Sequence, residues 1–153
     1  AASCPVWAGV DDLSPHAGRP IRSILCGLSL GPHASAVLRW AADLAARLTA
    51  ALTVVHTSKA MGSVFPCPNN GKWGLWVKKM ARDDIRALQL SAGTHADVWL
   101  EAGRPSAAIS SVAEHLRADL VVIGKSPPRR FLADLRTMSY DLLCRAPCPV
   151  AAV

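Results

Sequence analysis

The sequence predicts a single α/β domain built in three layers, with a parallel sheet of five strands between two layers of helices. Strand and helix patterns alternate along the chain, and the strands are short, almost wholly apolar runs, as expected of strands buried on both faces. The chain has 153 residues, of which 51% are hydrophobic and 18% charged. That length and balance suit one core and exclude both an intrinsically disordered chain and two full domains.

The predicted elements follow one another from residue 21 to residue 153. Five short apolar runs predict strands at 21–27, 50–57, 96–101, 119–124 and 148–153. Apolar residues at helical spacing predict four helices between them, at 33–48, 72–90, 103–117 and 134–145. Residues 58–74 are rich in Pro, Asn and Gly and predict a long loop.

The first twenty residues predict an N-terminal extension made of a strand and a linker, so that the domain spans 21–153. The string Cys4-Pro5-Val6 is repeated as Cys148-Pro149-Val150 near the other end. This echo predicts that residues 3–8 form a strand resembling the last one, with chance similarity of a short string as the alternative. Residues 11–20 contain Pro, Gly and Ser and predict a linker.

Charge and cysteine usage limit the partners and the compartment. Seventeen Lys and Arg against eleven Asp and Glu give a formal charge of +6, which favours anionic ligands. The five cysteines are irregularly spaced and form no C-x-x-C pair, so we predict free thiols and no metal site. No apolar run approaches the roughly 18 residues of a membrane span, and the N-terminus lacks a signal-peptide pattern. These features predict a soluble intracellular protein.

The most basic segment follows the most apolar strand. In an open parallel sheet, ligands bind at the carboxyl ends of the strands, here after Gly27, Thr57, Glu101 and Gly124. Four cationic residues follow Gly124 in the sequence: Lys125, Arg129, Arg130 and Arg136. Cations before a helix suit a phosphate, so we expect a compact anion rather than nucleic acid. A merely solvated loop is the alternative, because no Walker A or G-x-G-x-x-G sequence is present.

A second motif is compatible with a serine hydrolase. Residues 27–31 form G-x-S-x-G between a predicted strand and a predicted helix, the setting of a nucleophile elbow. Ser29 would then be the nucleophile, with Asp97 and His115 completing a triad in the required chain order. The pattern is permissive, because turns between strands and helices commonly contain Gly and Ser.

Three segments resemble the universal stress protein family. They are residues 21–57, residues 103–124 and the ending RAPCPVAAV. The resemblance implies a Rossmann-like fold of the adenine nucleotide alpha hydrolase-like type, cytoplasmic location, and dimers that pair through the last strand. It also implies ATP binding in many members, slow hydrolysis in some, and no nucleotide in others.

The nucleotide motif of that family is degenerate here. The family has an Asp after the first strand and G-x2-G-x9-G-(S/T) after the fourth. By this resemblance, the first position is Ser29, the motif begins at Gly124, and Thr57 matches the residue whose backbone meets adenine. The segment is one residue shorter than the motif, so the second glycine position falls on Pro127 or on a deleted residue, and the last two positions fall on Arg136 and Thr137. Proline lacks an N–H donor and the positive φ that a glycine allows, so we predict weak or absent ATP binding and no other cofactor.

These observations predict a non-enzymatic stress-response module. It would act through a homodimer, or a tandem pseudo-dimer, paired along the last strand, and through weak binding of a small anionic ligand. An ATP-binding member with slow hydrolysis and the Ser29 hydrolase are the alternatives. Trp73 and Trp76 lie among lysines, but their helical spacing predicts a core or partner-facing stripe rather than a nucleic-acid surface.

Overall fold

Strands and helices alternate along the part of the chain that the computed structural model describes, residues 5–8, 20–58, 72–125 and 141–153. The strands are β1 (Val6–Ala8), β2 (Ser23–Gly27), β3 (Ala51–Ser58), β4 (Asp97–Ala102), β5 (Leu120–Ile123) and β6 (Val150–Ala152). The helices are α1 (Ala34–Leu48), α2 (Lys72–Ala92) and α3 (Pro105–His115). Residues 141–145 are also helical. The predicted order of elements is confirmed.

The strands form one sheet in the order β1-β6-β5-β2-β3-β4. The pairs β2–β3, β2–β5, β3–β4 and β5–β6 are parallel, whereas β1 runs antiparallel to β6. The chain builds outward from β2 to β4 and then returns to the other side of β2 with β5. The switch in strand order therefore lies between β2 and β5, and the predicted five-stranded parallel sheet with an extra N-terminal strand is confirmed.

Alternate residues of each central strand enter two different apolar layers, as the two faces of a strand require. In β2, Ile24 and Cys26 pack on the side of α1 and α2, whereas Leu25 packs on the side of α3 and residues 141–145. All the side chains of β5 are buried, two on each face. Burial on both faces explains why these strands are continuous apolar runs in the sequence.

The N-terminal strand lies at one edge of the sheet. The register pairs Val6 with Ala152, Trp7 with Ala151 and Ala8 with Val150. The side chains of Val6 and Trp7 are 50% and 49% exposed, so β1 covers the backbone edge of β6 while burying little of its own apolar surface. Neither core cluster contains a residue of β1.

Helix α2 carries an apolar surface that the sheet does not cover. Ile85 is fully buried against the sheet, but Trp73 and Trp76 are 51% and 50% exposed. Their rings stack on each other with centroids 5.0 Å apart. The two tryptophans are therefore not core residues. The other alternative, that they face a partner, stays a prediction. Of the predicted loop 58–74, residues 59–71 lie outside the described residues.

Candidate functional site

A cleft opens where the carboxyl ends of β2, β3 and β5 meet the start of α3, at the switch in strand order. Its volume is about 190 Å³. Its lining residues are Gly27, Leu28, Ser29, Leu30, Val55, His56, Thr57, Pro105, Ile109, Ile123 and Gly124. This is the location at which open parallel sheets bind ligands.

The loop after β2 is held to β3 by two hydrogen bonds. The Leu28 N–H donates to the Val55 carbonyl at 2.9 Å. The His56 Nδ1 lies 2.8 Å from the Leu28 carbonyl oxygen, which requires the tautomer with hydrogen on Nδ1 as donor. The Nδ1 of His56 is thus hydrogen-bonded within the fold, and its ring fixes the loop that presents Ser29 at the rim of the cleft.

Two glycines bring helices close to the strand ends. A Cβ at Gly124 would lie 2.9 Å from Val37 Cγ2 of α1, and one at Gly27 would lie 3.0 Å from Ile109 Cδ1 of α3. At Gly27 a Cβ would require the end of the Ile109 side chain to shift by a few tenths of an ångström. The distance at Gly124 is shorter than real Cβ contacts, so this position needs glycine for packing. This requirement exists without any ligand.

Helix α3 begins at the cleft. Gly103 precedes it with φ of +119°, a value that suits glycine, and Pro105 occupies its first turn, where a missing N–H costs nothing. The backbone N–H groups of a helix start carry partial positive charge, which favours an anion nearby. Arg104, directly before the helix, is exposed and adds a full charge.

A polar contact joins the start of α3 to the helical residues 141–145. The buried Ser106 hydroxyl donates to Asp141 Oδ2 at 2.6 Å, and Arg145 Nε donates to Asp141 Oδ1 at 2.8 Å. The hydrogen bonds from Ser106 and then Arg145 hold the pKa of Asp141 below its ordinary value. Both carboxylate oxygens are engaged, so Asp141 positions two helices rather than a ligand.

The structure brings three of the predicted site residues together. Ser29, Thr57 and Gly124 all line the cleft, although they come from three separate strand ends. Lys125 follows Gly124 with an exposed side chain, and its N–H donates to the Val153 carbonyl at 2.7 Å. The other predicted positions, Arg129, Arg130, Arg136 and Thr137, lie outside the described residues, as does Pro127.

Sequence reasoning pointed to the loop after Glu101 but missed the apolar wall that follows it. Pro105 and Ile109 of α3 line the cleft opposite the loop after β2. They are four positions apart on one helix face, which is the signal that could have found them. The hydrogen bond from His56 to the Leu28 carbonyl has no sequence signal, because it joins residues from neighbouring parallel strands.

The hydrolase triad is not assembled. Ser29 follows the carboxyl end of β2, whereas Asp97 begins β4 and His115 ends α3, at the opposite end of the sheet. The His115 ring instead contacts Trp99, with centroids 5.3 Å apart. A triad requires hydrogen-bond reach between its members, so the geometry argues against this chemistry.

Neither a metal-binding cluster nor a membrane-spanning helix is found among the described residues. No group of three or more His, Cys, Asp or Glu side chains is arranged to hold a metal ion within residues 5–8, 20–58, 72–125 and 141–153. Over the same ranges, every helix is too short or too polar to cross a membrane.

Comparison with solved structures supports the fold. The universal stress protein UspA from Lactobacillus plantarum superposes with a TM-score of 0.71 at 20% identity, covering 89% of this chain and 99% of that one. The Archaeoglobus fulgidus universal stress protein in complex with dAMP gives 0.62 at 19%, covering 88% and 98%.

A longer relative also matches. A protein of unknown function from Pseudomonas aeruginosa PAO1 superposes with a TM-score of 0.69 at 18% identity, and the match covers 98% of this chain but 52% of that one. No curated protein sequence matches the chain. The family model for universal stress proteins matches residues 20–153, which is almost the whole chain. The chain therefore belongs to the universal stress protein family.

Proposed function

We propose that this chain is a cytoplasmic stress-response module that binds a small anionic or nucleotide ligand weakly and acts without catalysis. One observation carries the proposal. Ser29, Thr57 and Gly124, the positions that the family resemblance assigns to a nucleotide, line a single cleft. The dAMP complex of the Archaeoglobus fulgidus relative supports a nucleotide as the ligand class.

Electrostatics at the cleft favour an anion. The start of α3 contributes the positive end of a helix, which the Asp141 carboxylate bonded to Ser106 offsets in part. Arg104 precedes this helix and Lys125 follows Gly124, both with exposed side chains. The sequence after Lys125 contains three more cations, Arg129, Arg130 and Arg136, which lie outside the described residues.

Size and composition make the affinity weak. The cleft volume of about 190 Å³ is below the roughly 300–1,000 Å³ of typical small-molecule pockets. Ser29 offers a neutral hydroxyl where the family has a carboxylate, which removes a charge-assisted hydrogen bond to a ribose or a metal. Pro127 and Arg136 replace motif glycines, so the phosphate loop loses one donor and gains bulk.

Calorimetry with ATP, dAMP and inorganic phosphate tests this proposal. We expect each Kd to be weaker than about 100 µM, which corresponds to less than about 5.5 kcal/mol of binding free energy. Ser29→Asp should tighten ATP binding, because a carboxylate at the rim can accept from the ribose hydroxyls. Ser91→Asp, with the same charge change on the exposed end of α2, is the matched control and should leave affinity unchanged.

The outcomes are distinct. Micromolar ATP affinity in the unmodified chain would replace the proposal with the ATP-binding alternative, and phosphate release would then decide whether slow hydrolysis accompanies it. Equal affinity in Ser29→Asp and Ser91→Asp would show that the missing carboxylate is not what weakens the site.

The partner part of the proposal concerns the edge of β6. We propose that association occurs through this last strand, as a homodimer or as a tandem pseudo-dimer. Antiparallel pairing of β1 with β6 supports the pseudo-dimer, because a strand echoing the last one already lies on that edge. The twofold length of the Pseudomonas aeruginosa relative is consistent with such a tandem.

A further inference from the structure

The two outermost strands at this edge, β1 and β6, have nearly the same sequence, and they pair so that equivalent residues are placed symmetrically. Aligning Cys4-Pro5-Val6-Trp7-Ala8 with Cys148-Pro149-Val150-Ala151-Ala152 leaves one difference in five positions. The observed register pairs Val6 with Ala152 and Trp7 with Ala151. If a second copy of β6 took the place of β1 in this register, its Val150 would pair with Ala152 of the first copy, and the two copies of Ala151 would pair with each other.

That substituted register reads the same from either strand. Antiparallel pairing of a strand with its own copy always has this property, and it is what a two-fold symmetric interface between identical chains requires. The observed register is centred on Ala151, the middle residue of β6, so that all three β6 residues are paired. The geometry of β1 on β6 is therefore that of a second copy of β6, centred on Ala151.

We propose that β1 is an exchangeable internal copy of β6 that prevents a second copy of this chain from pairing there. This inference rests on the proposed association through β6 and is independent of the proposed ligand. An uncovered β6 would present unpaired N–H and C=O groups, which are a template for a further strand. With β1 in place the chain is monomeric, and with β1 displaced two chains pair through β6.

Competition at this edge depends on tethering. β1 makes three residue pairs and leaves Val6 and Trp7 half exposed, so its own contacts are few. Because it belongs to the same chain, it competes at an effective concentration on the order of millimolar. A second chain at micromolar concentration is outcompeted by a strand of nearly the same sequence. Removing the tethered copy removes the competition.

Deletion of residues 1–10 tests the proposal by sedimentation velocity. The deletion keeps residues 20–153, which the family model matches, and removes no residue of either core cluster. At tens of micromolar protein we expect a monomer for the full chain and a dimer for the shortened chain. This protein concentration lies well below the roughly millimolar effective concentration of the tethered β1.

A cysteine placed at the centre of symmetry reports the register. In the shortened chain, Ala151→Cys should form an intermolecular disulfide, because the two copies would lie directly opposite each other, within the Cα separation that a disulfide needs. Val153→Cys is the matched control, since its two copies would lie roughly 13 Å apart and should not cross-link. The shortened chain without an added cysteine controls for the exposed Cys144.

A second variant keeps the test decisive if the shortened chain misfolds. Val6→Pro with Trp7→Pro in the full chain removes both consecutive N–H groups, one of which must point toward β6. This variant should also dimerise. A monomeric shortened chain together with a monomeric double-proline variant would overturn both this inference and association through β6. A full chain that dimerises with the Ala151→Cys cross-link would overturn only the protective role of β1.

Discussion

At the scale of single residues, glycine determines how closely α1 approaches the sheet. The Cβ that alanine would add at Gly124 lies 2.9 Å from Val37 Cγ2, closer than real side chains come. Val37 is a β-branched residue in a helix and has one strongly preferred rotamer, so it cannot easily turn away. The conflict must be relieved by moving the helix or the strand end.

Gly124→Ala should lower the free energy of unfolding by about 1–3 kcal/mol, the usual cost of overpacking a core. Urea denaturation measures this loss. Gly31→Ala is the matched control, because its nearest neighbour would be Ser29 Oγ at 4.0 Å. Combining Gly124→Ala with Val37→Ala should cost less than the two single changes together, and strict additivity would contradict the contact.

The sequence predicted the position of Gly124 but not its reason. The resemblance assigned this glycine to a phosphate loop, whereas the structure shows a packing requirement that holds without ligand. The contact with Val37 joins a strand end to a helix far away in the chain. No local pattern specifies that distance, so sequence alone could locate the site residues without explaining their spacing.

At the scale of elements, hydrophobic pattern predicted the identity of the described strands better than their ends. The last strand was predicted at 148–153 and spans Val150–Ala152. Pro149 precedes it and cannot donate to a ladder, although its carbonyl accepts from Val121 at 2.9 Å. Strand ends depend on which backbone groups find partners, which is a property of the neighbouring strand.

Helix α2 shows a second limit of prediction from the hydrophobic pattern of the sequence. Its apolar residues fall on two sides of the helix, and the period alone does not say which side packs on the sheet. Ile85 is buried, whereas Leu75 is 70% exposed. The stacked Trp73 and Trp76 bury part of each ring against the other, which lowers the cost of their exposure.

The contact between α3 and residues 141–145 has a pH signature. The hydrogen bonds from Ser106 and Arg145 lower the pKa of Asp141 in the folded state, so they stabilise the fold above the unfolded pKa. That stability is lost as pH falls through the folded pKa. Asp141→Asn should therefore lower the melting temperature near neutral pH and have a smaller effect at about pH 3.

Thermal melts of both proteins across this range check the sign. If the loss of melting temperature in Asp141→Asn became larger as the pH is lowered, it would contradict stabilisation by the ionised Asp141 carboxylate. Asp43→Asn, on the exposed side of α1, is a suitable control with the same loss of charge.

At the scale of the whole molecule, the two apolar layers each contain a buried cysteine. Cys26 packs with α1 and α2, and Cys148 packs on the opposite face with α3. Burial raises the pKa of each thiol to about 12. Both are therefore protonated and inaccessible in the folded state, while Cys144 is exposed.

Of the three cysteines in the described part of the chain, Cys144 should be alkylated first by iodoacetamide at about pH 8, because the thiolate is the reactive form and access is required. In moderate urea, Cys26 and Cys148 should become labelled at the same rate, because one sheet supports both layers and they unfold together. Mass mapping of the peptides measures both rates. Much faster labelling of Cys148 would mean that the α3 layer opens alone.

The pairing of β1 with β6 also bears on how the chain folds as it is made. β1 is synthesised before every other described element, and β6 after all of them. The parallel strands β2 to β5 can assemble while the chain is still growing, but Val6 cannot meet Ala152 until synthesis reaches it. Contacts so far apart in sequence form slowly. Of the strands that the structure describes, the first to be synthesised is thus the last to find its partner.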